Sequence, residues 1–96
     1  MYYVYVLKSE KKGFIYVGST NDLKRRLFEH NNGNVRSTKF YMPLRLVYYE
    51  AYLEEKDALE REYRLKHHGS VIGHLKKRLF YSLKSFNNRE GIAPPF

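Results

Sequence analysis

Glu62 occupies a position that an ordinary surface charge would avoid. Residues 53–66 have the pattern of a helix. Its apolar face is formed by Ala58, Leu59, Tyr63 and Leu65. At about 100° per residue, the side chain of Glu62 projects toward the centre of that face. A carboxylate there is costly unless it is paired or bound to a cation, so two interpretations remain open: an internal salt bridge, for example to an arginine of the first helix, or a metal ligand.

Arg26 and His30 are four residues apart in a second helical segment, residues 23–30, and share one stripe beside its apolar face. Arginine provides a forked, permanently charged donor for phosphate. Histidine donates, accepts or transfers a proton near neutral pH. This pair therefore indicates phosphate chemistry, and a solvated helix flank is the alternative.

Tyr5 and Tyr16 belong to two short segments rich in aromatic and β-branched residues, 2–7 and 14–17, which we interpret as the strands of a hairpin. Period-two alternation predicts that the two phenols lie on one face and point to one place. Gly18, at the end of the second strand, leaves room for a close approach. Cross-strand aromatic packing is the alternative interpretation of the tyrosines.

These residues require a small set of elements to position them. The predicted strands are 2–7, 14–17 and 45–52, and the predicted helices are 23–30, 53–66 and 71–86. The order is β-β-α-β-α-α. It predicts an α+β fold in which a small antiparallel sheet is covered by helices.

Composition limits the class of protein. A chain of 96 residues predicts one domain, and the absence of cysteine excludes disulfide scaffolds, thiolate zinc sites and cysteine nucleophiles. No apolar run approaches the roughly 20 residues that a membrane span needs, and Met1 leads directly into a strand without a signal peptide. We therefore expect a cytoplasmic protein without a membrane partner. The net charge of +8 favours a polyanionic partner, nucleic acid first, although a basic surface kept for solubility has the same charge.

Two short motifs and three single residues together resemble the GIY-YIG nuclease family. The motifs are Tyr3-Val4-Tyr5 and Tyr16-Val17-Gly18, followed in order by Arg26, His30 and Glu62. The resemblance extends from Tyr2 into the third predicted helix and is closest to small, single-domain members. It implies a three-stranded antiparallel sheet flanked by helices over residues 1–86, with residues 87–96 as a loose tail.

The resemblance also implies a function and a role for each residue. Members of this family hydrolyse DNA phosphodiester bonds with one divalent metal ion, here Mg²⁺ or Mn²⁺. Glu62 matches the metal-binding glutamate and Arg26 the arginine that contacts the scissile phosphate. Tyr16 matches a general base or water-positioning tyrosine, Tyr5 the tyrosine of the first motif, and His30 a position that carries His or Tyr. A protein partner would supply targeting, because the chain resembles the nuclease module alone.

Two other functions are compatible with the sequence. A nucleic-acid-binding module with weak or lost cleavage is suggested by the charge, by the cluster Lys76-Lys77-Arg78 and by Tyr3, which replaces the glycine of the first motif. The same hypothesis takes account of the active-site asparagine that many members of the family carry further along the chain, because Asn87 and Asn88 are both candidates for it. A protein that keeps only the fold for interaction, with its tyrosines in packing roles, is the third hypothesis.

Overall fold

The computed structural model describes residues 1–84, and the predicted α+β fold is confirmed. The strands are β1 (Tyr2–Ser9), β2 (Ile15–Thr20) and β3 (Leu44–Tyr52); the helices are α1 (Leu23–Asn31), α2 (Glu55–His67), α3 (Gly69–Arg78) and α4 (Phe80–Lys84). Within the described range, the strands form one antiparallel sheet in the order β2-β1-β3. The element order agrees with the prediction, except that a short 3-10 helix (Lys39–Tyr41) precedes β3 and the predicted third helix is divided into α3 and α4.

Strand β1 is the centre of the sheet and is buried on both faces. Val6 pairs with Val17 of β2 on one side and with Tyr48 of β3 on the other. The pairing with β3 shifts register between Val6 and Leu7, which marks a β-bulge. A strand enclosed on both faces explains why residues 2–7 form a continuous apolar run rather than alternating with polar residues.

Helix α1 packs on one face of the sheet. Its Leu27 joins Tyr5, Leu7 and Leu46 in one apolar cluster. Both ends of the helix are fixed by short polar side chains, because Asp22 caps the first turn and Asn31 forms an amide clamp at the last. The Asp22 side chain accepts from the Arg25 backbone at 3.0 Å, and the Asn31 amide bonds both backbone groups of Leu44 at 2.7 and 2.8 Å.

Helices α2 and α3 pack on the opposite face, over Val4 and Val6. Ala58 and Leu65 supply the contact from α2, and Leu75 supplies it from α3. The sheet is therefore a middle layer, with α1 on one side and the pair α2–α3 on the other. The edge strand β2 lies between the two layers, where side chains from both can meet.

The predicted apolar face of α2 included two residues that the structure leaves exposed, so the prediction is wrong for them. Leu59 and Tyr63 are 48% and 59% exposed, whereas Ala58 and Leu65 are fully buried. The buried stripe is therefore centred on the direction of Ala58 and Leu65 and not midway toward Tyr63. Glu62 lies on one flank of this narrower stripe instead of at its centre.

The predicted third helix, residues 71–86, also differs from the structure. Helix α3 begins earlier, at Gly69, and ends at Arg78; Leu79 interrupts the regular geometry before α4. Leu79 is buried in the core, and its backbone N–H is shared among three carbonyls, which tightens the turn. The predicted tail, with Asn87 and Asn88, lies outside the described residues, so the domain boundary at residue 86 stays a prediction.

None of the helices in residues 1–84 has the length and apolar character to cross a membrane.

Candidate active site

The structure brings four of the five predicted site residues into mutual contact on the α1 face of the sheet. The Tyr5 and Tyr16 rings are 6.3 Å apart between centroids, and the His30 ring meets them edge-on at 5.7 and 5.1 Å. Arg26 lies against the Tyr5 oxygen. Strand register explains this arrangement, because Tyr5 pairs with Gly18 and Tyr16 is two residues away on the same face.

His30 is fully buried and both of its ring nitrogens have partners. Nε2 is 2.8 Å from the Tyr5 hydroxyl oxygen, and Nδ1 is 2.7 Å from Thr38 Oγ1. Burial, with the positive charge of Arg26 as a second cause, lowers the pKa of His30 to about 4. At neutral pH the imidazole is therefore uncharged and carries one N–H.

Gly18 is required by the side chain of Tyr5. A Cβ atom at position 18 would lie 2.5 Å from the Tyr5 hydroxyl oxygen and 2.6 Å from Cζ, closer than nonbonded atoms approach. The sequence predicted a close approach at this glycine, and the group that approaches is the phenol of the neighbouring strand. With Gly18 beneath it, the phenol reaches His30.

The two tyrosines differ in environment. Tyr5 is 2% exposed, and burial raises its pKa to about 12, although the hydrogen bond from Arg26 opposes the shift. Tyr16 is half-buried at the edge of the sheet, and the Lys66 ammonium lies 5.6 Å above its ring. Tyr16 is thus the phenol that a substrate can reach.

Arg26 is anchored but accessible. Its Nη1 donates to Glu29 Oε1 at 3.0 Å, one turn along the same helix, and about a third of its side chain is exposed. Arg26 also lines a cleft of about 260 Å³ with Arg25 and Ser19, between the start of α1 and the start of α2. Two guanidinium groups in one cleft suit an anionic ligand.

Glu62 approaches from the opposite layer, over the edge of β2. Its Oε1 accepts a hydrogen bond from Ser19 Oγ at 2.8 Å, and its Oε2 is paired with Lys66 Nζ at 2.8 Å. Of the two interpretations raised by the sequence, an internal ion pair is present, but with Lys66 of the same helix and not with an arginine of α1. Lys66 connects the two halves of the site, because it contacts both Glu62 and the ring of Tyr16.

The donor set around Glu62 fits one kind of metal ion. Among residues 1–84 there is no group of three or more His, Cys, Asp or Glu side chains that could enclose an ion. A single carboxylate suits Mg²⁺ or Mn²⁺, since Mg²⁺ keeps several waters and shares substrate phosphates. Lys66 is the neighbour that such an ion would displace from Oε2, and its side chain is 39% exposed, so solvent can solvate the displaced ammonium.

Glu50 of β3 is a second carboxylate. It lies on the face of the sheet that α2 covers, and its environment differs from that of Glu62. Arg61 binds it with three hydrogen bonds of 3.0 to 3.2 Å, Tyr48 donates at 2.6 Å, and Tyr52 donates a short bond. Burial alone would raise the pKa of Glu50, but these donors outweigh it and keep the pKa below its ordinary value. Glu50 therefore joins α2 to the sheet.

Sequence reasoning missed Ser19, Lys66 and Thr38 as parts of the site. Ser19 has the residue type of a helix cap, and Lys66 is at a helix end where a long side chain usually reaches solvent. Thr38 lies in a loop without periodicity, yet it is fully buried. Lys66 follows Glu62 by four residues on the same helix, and this spacing is the sequence signal that could have predicted their contact.

Known proteins resemble this chain over most of its length. The family model described as the GIY-YIG catalytic domain matches residues 1–71. A UPF0213 protein of Staphylococcus saprophyticus is 39% identical over 66 residues, which are 68% of this chain and 79% of the relative. A UPF0213 protein of Clostridium perfringens is 40% identical over 67 residues, 69% of this chain and 71% of the relative.

A solution NMR structure of a UPF0213 protein from Bacillus halodurans is 30% identical and aligns over 97% of this chain and 100% of its own, with a TM-score of 0.48. The names of these relatives state no activity.

Proposed function

The chain belongs to the GIY-YIG catalytic domain family, and from this premise we propose that it is an endonuclease that hydrolyses DNA phosphodiester bonds with one divalent cation. The observation that carries the proposal is the convergence of Tyr5, Tyr16, Arg26 and His30 on one side of β2, with Glu62 reaching over the same strand. A family domain that retained only its fold would not require these five polar groups to meet.

Arg26 is the phosphate ligand in this proposal. Its guanidinium is positioned by Glu29 and Tyr5, so little conformational entropy is lost when it contacts a phosphate oxygen. The charge that develops on the phosphoryl oxygens during attack then lies against a permanent cation. Arg25, in the same cleft, would contact a neighbouring phosphate of the strand.

Tyr16 is the group that orients the attacking water. It is more accessible than Tyr5, so its hydroxyl can hydrogen-bond the attacking water. Hydrolysis forms the bond between the water oxygen and phosphorus and breaks the bond from phosphorus to the departing 3′ oxygen. One proton of the water ends on the 3′ oxygen, and the other stays on the 5′ phosphate or passes to solvent. Tyr5 and His30, both buried, position Arg26 rather than meet the water.

Glu62 is the residue that would bind the cation. A divalent ion bound there supplies positive charge against a phosphate oxygen and the departing 3′ oxygen. Ser19 fixes the orientation of the carboxylate from the strand below, so that Oε2 faces Lys66 and the surface of the site. DNA binding itself is supported by the net charge of +8 and by the exposed cluster Lys76-Lys77-Arg78 at the end of α3.

The test is a plasmid nicking assay. Purified protein is incubated with supercoiled DNA in Mg²⁺, in Mn²⁺ and in EDTA, with Glu62→Gln as a matched control that keeps the shape of the side chain. The proposal predicts nicking that requires the cation and the carboxylate. Equal nicking by Glu62→Gln would contradict it.

The binding-module hypothesis makes a different prediction in the same samples. It expects salt-sensitive DNA binding, with log K falling by roughly 0.9 per phosphate contact for each decade of salt, and no nicking with any cation. Branched and single-stranded substrates run alongside would identify the preferred DNA structure. Targeting by a protein partner and a cytoplasmic location remain predictions of the sequence.

A further inference from the structure

A chain of hydrogen bonds runs from the backbone of a loop to the phosphate-binding arginine. Thr38 and His30 are both 0% exposed, and Tyr5 is 2% exposed. The Thr38 hydroxyl is 3.4 Å from the carbonyl oxygen of Val35 and 2.7 Å from His30 Nδ1, and His30 Nε2 is 2.8 Å from the Tyr5 hydroxyl. These hydrogen bonds are shielded from bulk solvent, so the neighbouring protein groups decide which atom carries each proton.

The loop end of the chain indicates one polarity. A carbonyl oxygen only accepts, and a hydroxyl has one proton, so a Thr38 hydroxyl that donates to Val35 must accept from His30. The donor at that position is Nδ1–H. Because the buried imidazole is uncharged, Nε2 then carries no proton and accepts from the Tyr5 hydroxyl.

The other end of the chain favours the same polarity. The Arg26 guanidinium beside the Tyr5 hydroxyl is a cation with donors and no acceptor, so the phenol proton points away from it. Among the described residues, the hydrogen-bond partner left for the phenol proton of Tyr5 is Nε2 of His30. Two constraints from opposite ends thus agree on the Nδ1–H tautomer of His30.

We propose that Thr38 is a positioning residue, which fixes His30 as the Nδ1–H tautomer and thereby directs the lone pairs of the Tyr5 oxygen toward Arg26. Its effect on cleavage rests on the proposed function, but its effect on the tautomer does not. In the opposite tautomer, Nε2–H and Arg26 would both donate to the Tyr5 oxygen, and the phenol proton would have no partner. A buried phenol proton without a partner is costly, so the Tyr5 hydroxyl would shift away from this position and its contact with Arg26 would weaken.

The experiment measures the tautomer directly. Long-range ¹H–¹⁵N spectra of the labelled protein at pH 7 distinguish Nδ1–H from Nε2–H, and His30→Gln assigns the signal among the four histidines of the chain. Wild-type protein should show Nδ1–H at His30. Thr38→Val keeps the shape but removes the acceptor at one end of the chain, so an Nε2–H fraction should appear beside the Nδ1–H form, and the nicking rate should fall about 2- to 10-fold.

Thr38→Ser is the matched control because it restores the hydroxyl without the methyl group. It should return both the Nδ1–H signal and most of the nicking rate, which a purely packing role for Thr38 would not explain. Should Thr38→Val fail to fold, the wild-type spectrum and the serine variant still decide the question. An Nε2–H tautomer in the wild-type protein, or a folded Thr38→Val protein without any Nε2–H fraction, would overturn the inference.

The two proposals fail separately. Wild-type protein with the expected tautomer but no nicking would contradict the proposed function alone. Nicking by a protein whose His30 carries its proton on Nε2 would contradict the inference alone.

Discussion

Glu50 and Glu62 are two carboxylates on the same face of the sheet, and α2 contacts both. Arg61 and Glu62 lie on opposite flanks of the buried stripe of this helix, so one flank reaches β3 and the other reaches β2. Glu50 receives five hydrogen bonds from Arg61, Tyr48 and Tyr52. Glu62 receives one from Ser19 and one from the partly exposed ammonium of Lys66.

The difference separates a structural carboxylate from one that is available for chemistry. Glu50 has its acceptor sites filled by partners from its own strand and the helix above, so a cation would have to displace a complete network. Glu62 has one partner that sets its orientation and one that can leave. Residue type and helix geometry alone do not make this distinction, whereas the number and the solvent exposure of the partners do.

The largest expected effect is on the chemistry of Glu62. Glu62→Gln should reduce the nicking rate by about 10³-fold, because the neutral amide no longer attracts the cation. Its free energy of unfolding should change by less than about 1 kcal/mol, since the lost pair with Lys66 is partly exposed. Single-turnover nicking and urea unfolding of the same preparation measure the two quantities, and a large loss of stability would mean that Glu62 is structural.

Glu50→Gln should have the opposite effects, a loss of stability with little change in the nicking rate. Removing the charge leaves Arg61 half-buried without its counter-ion, which should lower the free energy of unfolding by about 2 kcal/mol. Nicking by the folded fraction should stay within a few-fold of wild type. Glu60→Gln is the control, because its pair with Arg64 is exposed and should change stability by less than about 0.5 kcal/mol. Equal losses of unfolding free energy in Glu50→Gln and Glu60→Gln would contradict the claim that the more buried pair contributes more to stability.

Low pH should remove the contribution of Glu50 to the free energy of unfolding. Its pKa in the folded protein lies below the ordinary value of 4.5, so as pH falls through 4.5 the unfolded chain takes up the proton first. The stabilisation is complete above that pH and is lost as pH falls through the folded pKa. The difference in unfolding free energy between wild type and Glu50→Gln should therefore be constant from pH 7 to about pH 5 and shrink below pH 4.5. A difference that grows in acid would contradict the assignment.

The smallest effect concerns Lys66. Lys66→Met removes the ammonium that competes for Oε2, so Mn²⁺ should bind the free protein about twofold more tightly, the value expected for one exposed pair on a helix. Electron paramagnetic resonance of free Mn²⁺ measures this affinity without any DNA. Lys76→Met is the control, because Lys76 lines the same groove as Lys66 but does not pair with Glu62. Weaker Mn²⁺ binding by Lys66→Met would show that the lysine supports the ion instead.

Much of the fold was predictable, because strands and helices here follow local patterns. The run of β-branched and aromatic residues in β1 predicted a strand, and the helical pattern of residues 23–30 predicted α1. The exposure of Leu59 and Tyr63 was not predictable. Periodicity places apolar residues on one side of a helix but cannot tell how wide the surface beneath that helix is.

The candidate site was predictable in its members but not in their partners. Tyr5 and Tyr16 share a face by alternation alone, and Arg26 and His30 share a stripe by helical spacing. The fully buried Thr38 and the bond from Arg61 to Glu50 depend on which segments pack together, and neither has a local signal. The neutral, buried state of His30 likewise follows from tertiary burial rather than from its neighbours in the sequence.

Paramagnetic broadening by Mn²⁺ tests the central claim, that Glu62 rather than Glu50 is where the cation binds. In ¹H–¹⁵N spectra of the wild-type protein, amide signals around Glu62 and Ser19 should broaden first, and those around Glu50 should broaden last. Glu62→Gln should abolish the selective broadening, and Glu50→Gln should preserve it. Broadening centred on Glu50, or selective broadening that survives in Glu62→Gln, would contradict the account.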